Sequence, residues 1–179
     1  MPSPENAPES APEELRTVLA DIDAAADRQD IEAVMTFFSS EFKHGDGLTI
    51  DSLESSLEVF WDRYQALDYN TEIQAWEQDG DAYVVDTVTR ITGIEQVGAR
   101  LAELTATIES RQRFEDLKII EQEVLDEESR LTLGGTPPTL DINLPAQVGI
   151  GQQFSFDAIV LEPLGDRILL GTAIEEPIT

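Results

Sequence analysis

Cysteine is absent from the 179-residue sequence, and histidine occurs once, at His44. Without cysteine the chain has no disulfide, no thiol nucleophile and no thiolate metal ligand. No apolar run approaches the roughly 18–20 residues of a membrane-spanning helix. The sequence also contains no phosphate-binding glycine loop, no Gly-x-Ser-x-Gly elbow and no His-Glu-x-x-His helix. It therefore predicts no membrane insertion, no metal site and no cofactor.

Basic residues are scarce. The chain has 11 Lys+Arg against 37 Asp+Glu, a formal net charge of −26. Such a surface repels nucleic-acid phosphates and anionic headgroups, so the sequence predicts no nucleic-acid partner. The acidic run Asp126-Glu127-Glu128 lacks the Asp-x-Asp-x-Asp-Gly pattern of a calcium loop and is interpreted as a solvated face.

The N-terminal residues 1–11 are rich in Pro, Glu and Ser and lack the basic and apolar regions of a secretory signal. They predict a disordered leader. Neither this segment nor the absence of cysteine identifies a compartment. A soluble, cytoplasmic protein is the default expectation, and earlier removal of an export signal is compatible with the sequence.

Three stretches that follow the leader have apolar residues at helical spacing. Pro12 suits the first turn of the first helix, Asp30 is a good N-cap for the second, and the third starts near Asp51. The residues expected to face inward are Leu15, Val18, Leu19 and Ile22 in the first helix, Ile31, Val34, Met35 and Phe38 in the second, and Leu53, Leu57, Phe60, Trp61 and Tyr64 in the third.

From Asp68 the apolar period changes from 3.6 to 2, which is typical of strands. Asp79-Gly80 predicts a hairpin turn, and long strands are expected from Ala99 to Phe114 and from Leu117 to Leu133. The residues expected on the covered face of the first of these are Ala102, Leu104, Ala106 and Ile108. Three helices followed by a curved, mostly antiparallel sheet make an α+β domain.

Residues 134–139, GGTPPT, mark a change of composition and are interpreted as a linker. Beyond them, residues 140–179 predict three or four short strands, too few for a complete β-sandwich of about 100 residues. This β-strand appendage either docks onto the first domain or belongs to a sandwich module that is incomplete here. Its apolar residues are expected to lie against the first domain or a second chain, namely Phe154, Phe156, Ile159 and Leu161.

The stretch AADRQDIEAVMTFFSSEF, residues 25–42, resembles the nuclear transport factor 2-like, or SnoaL-like, superfamily. The order of the predicted elements agrees over residues 12–133. The resemblance implies a cone in which a bent sheet wraps around three N-terminal helices and encloses a pocket open at one end. It also implies a dimer packed sheet to sheet, and it is closer to uncharacterised bacterial members with a C-terminal β appendage.

Enzymes of that superfamily, such as ketosteroid isomerase, scytalone dehydratase and the polyketide cyclases, place an Asp or an Asp–His pair in the cone, whereas many members are not catalytic. Here the pair would be His44 and Asp46, with the imidazole as general base. The flanking glycines of HGDG favour a solvent-facing turn instead, because a catalytic pair must be held rigidly.

Aromatic residues give two further candidates. Those expected to line an apolar pocket are Phe38, Trp61, Tyr64, Trp76 and Tyr83. At helical and strand spacing they equally fit a core. Arg111 and Arg113 alternate with the inward row of their strand, which favours the outer face, where they would form cross-strand ion pairs or a dimer contact.

The sequence thus predicts a non-enzymatic cone-fold domain that binds a small apolar molecule or a partner protein and forms a homodimer through its sheet. The alternative is a SnoaL-like or ketosteroid-isomerase-like enzyme that uses His44 or Asp46 as general acid or base.

Overall fold

The computed structural model describes residues 7–133, 139–145, 147–149 and 151–162. The chain divides into two compact units, Met1–Gly134 and Gly135–Thr179. The first unit contains the predicted helices followed by a five-stranded sheet, and the second contains a two-stranded sheet. The predicted α+β class with a short C-terminal all-β segment is therefore confirmed.

The first unit has three helices, α1 (Glu13–Asp27), α2 (Ile31–Met35) and α3 (Ile50–Asp62). The Asp30 carboxylate caps α2 by accepting from the Ala33 amide at 3.1 Å. Thr49 caps α3 in a reciprocal arrangement with Ser52. The buried stripe of α1 includes Leu15, Val18 and Leu19, in agreement with the predicted spacing.

The predicted ends of the second and third helices are wrong. The second helix stops at Met35, and Phe38 opens a strand, β1 (Phe38–His44). Phe38 pairs with Ile119 in a parallel ladder, so strand pairing overrides the helical spacing, as aromatic residues commonly allow. Tyr64 likewise does not end the third helix but begins β2.

Four long strands complete the sheet: β2 (Tyr64–Asp79), β3 (Ala82–Val97), β4 (Arg100–Glu115) and β5 (Lys118–Leu133). The strand order is β1-β5-β4-β3-β2, and only the β1–β5 pairing is parallel. The predicted hairpin is confirmed, since β2 ends at Asp79 and Gly80 adopts a φ of 64°. Bulges between Ile73 and Ala75 and in β5 bend the sheet.

Two apolar clusters fill the space between the helices and the sheet. One forms around Trp61, Tyr64, Leu67 and Leu104, and the other around Leu15, Phe42, Val85, Phe114 and Ile119. The row predicted to face inward on β4 does so: Ala102, Leu104 and Ala106 are buried, and Ile108 packs against the first cluster.

Residues 7–11 were expected to belong to a disordered leader, and this is wrong for the described part. Pro8–Ser10 form a short 3-10 turn, and Ala11 is buried. The indole Nε1 of Trp76 donates to the Ala7 carbonyl and to Ser10 Oγ, both at 3.2 Å. The segment is therefore held against β2 by hydrogen bonds and by burial of a small apolar side chain.

The second unit contains β6 (Leu140–Asn143) and β7 (Asp157–Val160), which pair antiparallel. The other strands predicted for the appendage fall on residues 163–179, outside the described residues, as does the linker up to Pro138. Phe154, Phe156, Ile159 and Leu161 are exposed. Their packing against another surface stays a prediction.

Candidate functional site

The inner face of the sheet, which faces the helices, is polar in its middle rows and apolar towards both ends. Side chains of paired residues lie on the same face, so the pairing register gives the rows directly. The polar rows hold Thr71 beside Thr89, Thr87 beside Ser110, and Gln112 beside Gln122 and His44.

Most of these polar groups form hydrogen bonds with one another. The hydroxyls of Thr71 and Thr89 lie 3.0 Å apart, and those of the buried Thr87 and Ser110 lie 3.2 Å apart. Gln112 donates from Nε2 to Gln122 Oε1 at 3.5 Å, while its own Oε1 is buried without a hydrogen-bond partner.

Two carboxylates of α1 bind the edge of the sheet. Because β2 is an edge strand, alternate N–H groups along it point away from β3 and need other acceptors. Asp27 accepts from the Tyr69 amide at 2.6 Å, and Asp23 accepts from both the amide and the hydroxyl of Thr71 at 2.7 Å. Asp23 and Asp27 thus serve as acceptors for the backbone and Thr71 rather than as unpaired acids in a cavity.

Burial shifts the titration of two groups here. It raises the pKa of the Asp23 carboxyl above its ordinary value, against the hydrogen bonds from Thr71, which lower it. Burial also raises the pKa of the Tyr69 phenol to about 12, although the hydrogen bond from Trp61 lowers it. Tyr69 therefore stays neutral and accepts from the Trp61 indole at 2.9 Å.

The structure places His44 at the end of β1, with its side chain 6% exposed, and Asp46 in the following turn, 79% exposed. The expectation that the whole stretch faces solvent is wrong for His44, because the strand directs its ring to the inner face beside Phe42. Its Nδ1 accepts the Asp46 amide at 3.1 Å and lies 3.6 Å from the Asp46 carboxylate. The backbone N–H, rather than the carboxylate, therefore orients the imidazole.

The aromatic residues predicted to line a pocket are divided between the two clusters. Trp61 and Tyr64 are 5% and 7% exposed in the first cluster, Trp76 and Tyr83 pack against the second, and Phe38 touches both. The polar atoms of three of them bond within the chain: Tyr83 donates to Glu14 at 2.7 Å, the Trp61 indole donates to Tyr69, and the Trp76 indole donates to Ala7 and Ser10.

Arg111 and Arg113 lie on the outer face, where the strand alternation placed them. Arg111 forms a two-bond contact with Asp86 at 2.7 and 2.9 Å, and Arg113 binds Asp79 at 2.7 Å. These contacts raise the pKa of both guanidinium groups. The predicted cross-strand ion pairs are confirmed.

One end of the sheet exposes large apolar side chains on both of its faces. This apolar end lies where β3 turns into β4 and where β5 stops. The pairing register places Val97, Leu131 and Leu133 on the inner face and Ile94 and Leu101 on the outer face. Three of the scarce basic residues lie among or beside them, at Arg63, Arg100 and Arg130, so the local charge is less negative than elsewhere.

Solved structures identify the architecture. A proposed scytalone dehydratase from Novosphingobium aromaticivorans matches with a TM-score of 0.51 and 15% identity, covering 79% of this chain and 93% of that one. LinA matches with a TM-score of 0.51 and 13% identity over 70% of this chain and 92% of its own. The first unit has the nuclear transport factor 2-like fold.

Other comparisons add less about this nuclear transport factor 2-like unit. Bd1075 of Bdellovibrio bacteriovorus is 22% identical over 62% of this chain with a TM-score of 0.45, and the match spans only 38% of Bd1075. The family model "Domain of unknown function (DUF8623)" matches residues 135–179, the second unit. No curated protein sequence matches the chain.

Within the described ranges, no helix is long and apolar enough to cross a membrane, and no three acidic or histidine side chains converge as metal ligands would. Sequence reasoning missed Asp23 and Asp27, although their i, i+4 spacing puts both on one side of α1. It also missed the apolar end, because that end depends on which strands become neighbours.

Proposed function

We propose that the nuclear transport factor 2-like unit is a non-enzymatic binding module whose ligand is a partner protein, bound at the apolar end. The observation that carries this proposal is the concentration of exposed apolar side chains on both faces of that end, in a chain with a net charge of −26. Exposed apolar side chains grouped on an otherwise polar protein are typical of protein interaction sites.

The interior gives less support to a small apolar ligand. The indole and phenol groups of Trp61, Tyr69 and Trp76 already have hydrogen-bond partners within the chain. Outside the interior, the cleft at the end of β1 is on the outer face of the sheet and is lined by charged side chains, among them Lys43, Arg111 and Glu121. A ligand pocket is expected to be mostly apolar with few polar groups, which favours the protein partner.

The enzymatic alternative uses His44 or Asp46 as general acid or base. The Asp46 carboxylate is 79% exposed and lies 3.6 Å from His44 Nδ1, which accepts the Asp46 backbone N–H instead. The carboxylate therefore lies in solvent and does not orient the imidazole as the partner of a general base would. The geometry therefore supports the binding module better.

Site-specific photo-crosslinking tests the proposal. A photoreactive amino acid replaces Leu101, which is 54% exposed at the apolar end, and in a matched control replaces Val59, which is 68% exposed on α3. In an extract of the source organism, position 101 should give a discrete protein adduct that excess unlabelled chain competes away. Replacing Ile94 and Val97 by serine in the competitor should remove the competition.

Equal adducts from both positions would contradict a site at the apolar end. So would an adduct whose formation the serine variant inhibits as strongly as the wild-type chain does. Quenching of Trp61 fluorescence by a small apolar extract component, with no protein adduct, would instead establish the small-ligand reading. The mass of the adduct separates a different protein from a second copy of this chain.

A further inference from the structure

The outer edge of β5 has strand cover along only part of its length. β1 pairs with β5 at Ile119, Glu121 and Gln122, and the Gly45 amide donates to the Gln122 carbonyl at 2.8 Å. The chain then turns away into α3. From residue 123 to Leu133, no strand of the described residues pairs with β5 on this side.

Along residues 123–133, every second residue of this edge therefore points its backbone N–H and C=O groups away from β4, where no described strand pairs with them. Unpaired strand edges readily pair with another strand, and proteins commonly block them with proline, charge or a covering element. No proline occurs in this stretch. The bulge at residue 125 interrupts only its beginning, and the remaining protection is charge, in the run from Asp126 to Arg130.

The charged side chains of residues 126–130 restrict which strands can pair with this edge. A strand carrying acids opposite Asp126 and Glu128 would be repelled, so an occupant must place a basic residue opposite one of them. A second copy of β5 does this when it runs antiparallel with its two-fold axis at Ser129. Glu128 of one chain then lies opposite Arg130 of the other, and the same contact occurs twice.

Neighbouring registers carry a like-charge pair on the axis itself. A two-fold axis at Glu128 pairs Asp126 with Arg130 but puts two glutamates opposite each other, and an axis at Arg130 puts two arginines together. The axis at Ser129 also places Thr132 opposite Asp126, where a hydroxyl can donate to a carboxylate. In the single chain, Glu128 and Arg130 lie 3.5 Å apart and are both strongly exposed, so neither is committed to a buried contact.

We propose that residues 126–132 of β5 pair with the same residues of a second copy, antiparallel about Ser129, to join two five-stranded sheets into one. This interface uses a sheet edge, whereas the sequence predicted a dimer through the sheet by face-to-face packing. It overlaps the apolar end at Leu131, but the two proposals can fail separately, because the crosslinking test uses Leu101, Ile94 and Val97 and the test below uses the charged residues of β5.

A charge swap tests the register. Sedimentation velocity of the full chain over a range of concentrations should show a dimer for the wild type. Arg130→Glu puts four acids around the axis and should raise the dissociation constant at least tenfold. The double variant Glu128→Arg, Arg130→Glu restores opposite charges in the same register and should recover dimerisation.

Arg90→Glu is the matched control, since Arg90 is an exposed arginine of β3 paired with Glu72 on the outer face, away from the edge. It should leave the dissociation constant unchanged within about twofold. A wild type that is monomeric at all concentrations, an Arg130→Glu variant that dimerises normally, or a double variant that does not recover would overturn the proposal. Loss of association in Arg111→Glu alone would assign the interface to the outer face of the sheet.

Discussion

The two outer edges of the five-stranded sheet differ in how far their backbone groups are covered. At β2, helix α1 lies alongside the strand, and the carboxylates of Asp23 and Asp27 accept the backbone N–H groups of Thr71 and Tyr69. At β5, strand cover ends at Gln122, and the rest of the edge has no partner strand among the described residues. The same sheet is thus closed on one side and open on the other.

The inner face follows the same division. Near β2, Trp61 and Tyr64 are buried under the helices, whereas at the end of β5, Leu131 and Leu133 are 48% and 47% exposed. Only the β2 side has both its backbone and its apolar side chains covered. The comparison indicates that stability is concentrated on the β2 side and that the β5 side is available for binding.

Removal of the Trp61 side chain should have the largest effect on stability. Trp61→Ala leaves a cavity in the first cluster and removes the donor to Tyr69, which should cost about 3–5 kcal/mol of unfolding free energy. Val59→Ala, at an exposed position of the same helix, should cost less than about 0.5 kcal/mol. Urea denaturation of both variants measures the difference. Similar losses would mean that the β2 side is no better packed than the surface of α3.

Removal of an edge carboxylate should have the next largest effect. Asp23→Ala leaves the Thr71 amide and hydroxyl without their acceptor and should cost about 1–3 kcal/mol. Asp21→Ala removes an exposed carboxylate of the same helix and serves as the control. Exchange of the Thr71 amide should accelerate in the first variant only. Unchanged exchange would show that the helix does not protect this edge through Asp23.

Tyr69→Phe should have a smaller effect at neutral pH, about 1 kcal/mol, since it removes one hydrogen bond with Trp61. Its effect depends on pH. The phenol pKa rises from 10.0 in the unfolded chain to about 12 in the folded one, so the Tyr69 contribution is complete below pH 10 and is lost as pH rises to 12. The stability advantage of the wild type over the variant should shrink over that range. A constant difference between them would contradict a buried, neutral phenol.

The smallest effect is expected on the outer face. Arg111→Ala breaks the contact with Asp86, but the guanidinium is half exposed, so the loss should be below about 1 kcal/mol and should decrease further at high salt. Thermal unfolding at two salt concentrations measures this. A loss comparable with that of Trp61→Ala would mean that the outer face, rather than the helix side, stabilises the sheet.

The sequence predicts those features that depend on neighbouring residues. The Asp79-Gly80 hairpin and the inward row from Ala102 to Ile108 follow from turn chemistry and from the two-residue period. Phe38 and Tyr64 fit a helical stripe equally well, and only pairing with distant strands decides that they begin β1 and β2.

The candidate surfaces depend still more on distant contacts. The roles of Asp23 and Asp27 require β2 to be the edge beside α1, and the open edge requires β1 to pair with only part of β5. Neither the strand order nor the length of a parallel pairing is encoded in local periodicity. For the same reason the sequence identified His44 as a residue of interest but not its position on the inner face.

Residue-resolved hydrogen exchange compares the two edges most directly. At a concentration where the chain is monomeric, the Tyr69 and Thr71 amides should exchange slowly, through unfolding of the whole unit, because Asp27 and Asp23 hold them. The amides of residues 126–132 that point away from β4 should exchange much faster, and they should slow as the concentration is raised into the dimeric range. Equal protection of the two edges in the monomer, or rapid exchange at Tyr69 and Thr71, would contradict a sheet that is closed at β2 and open at β5.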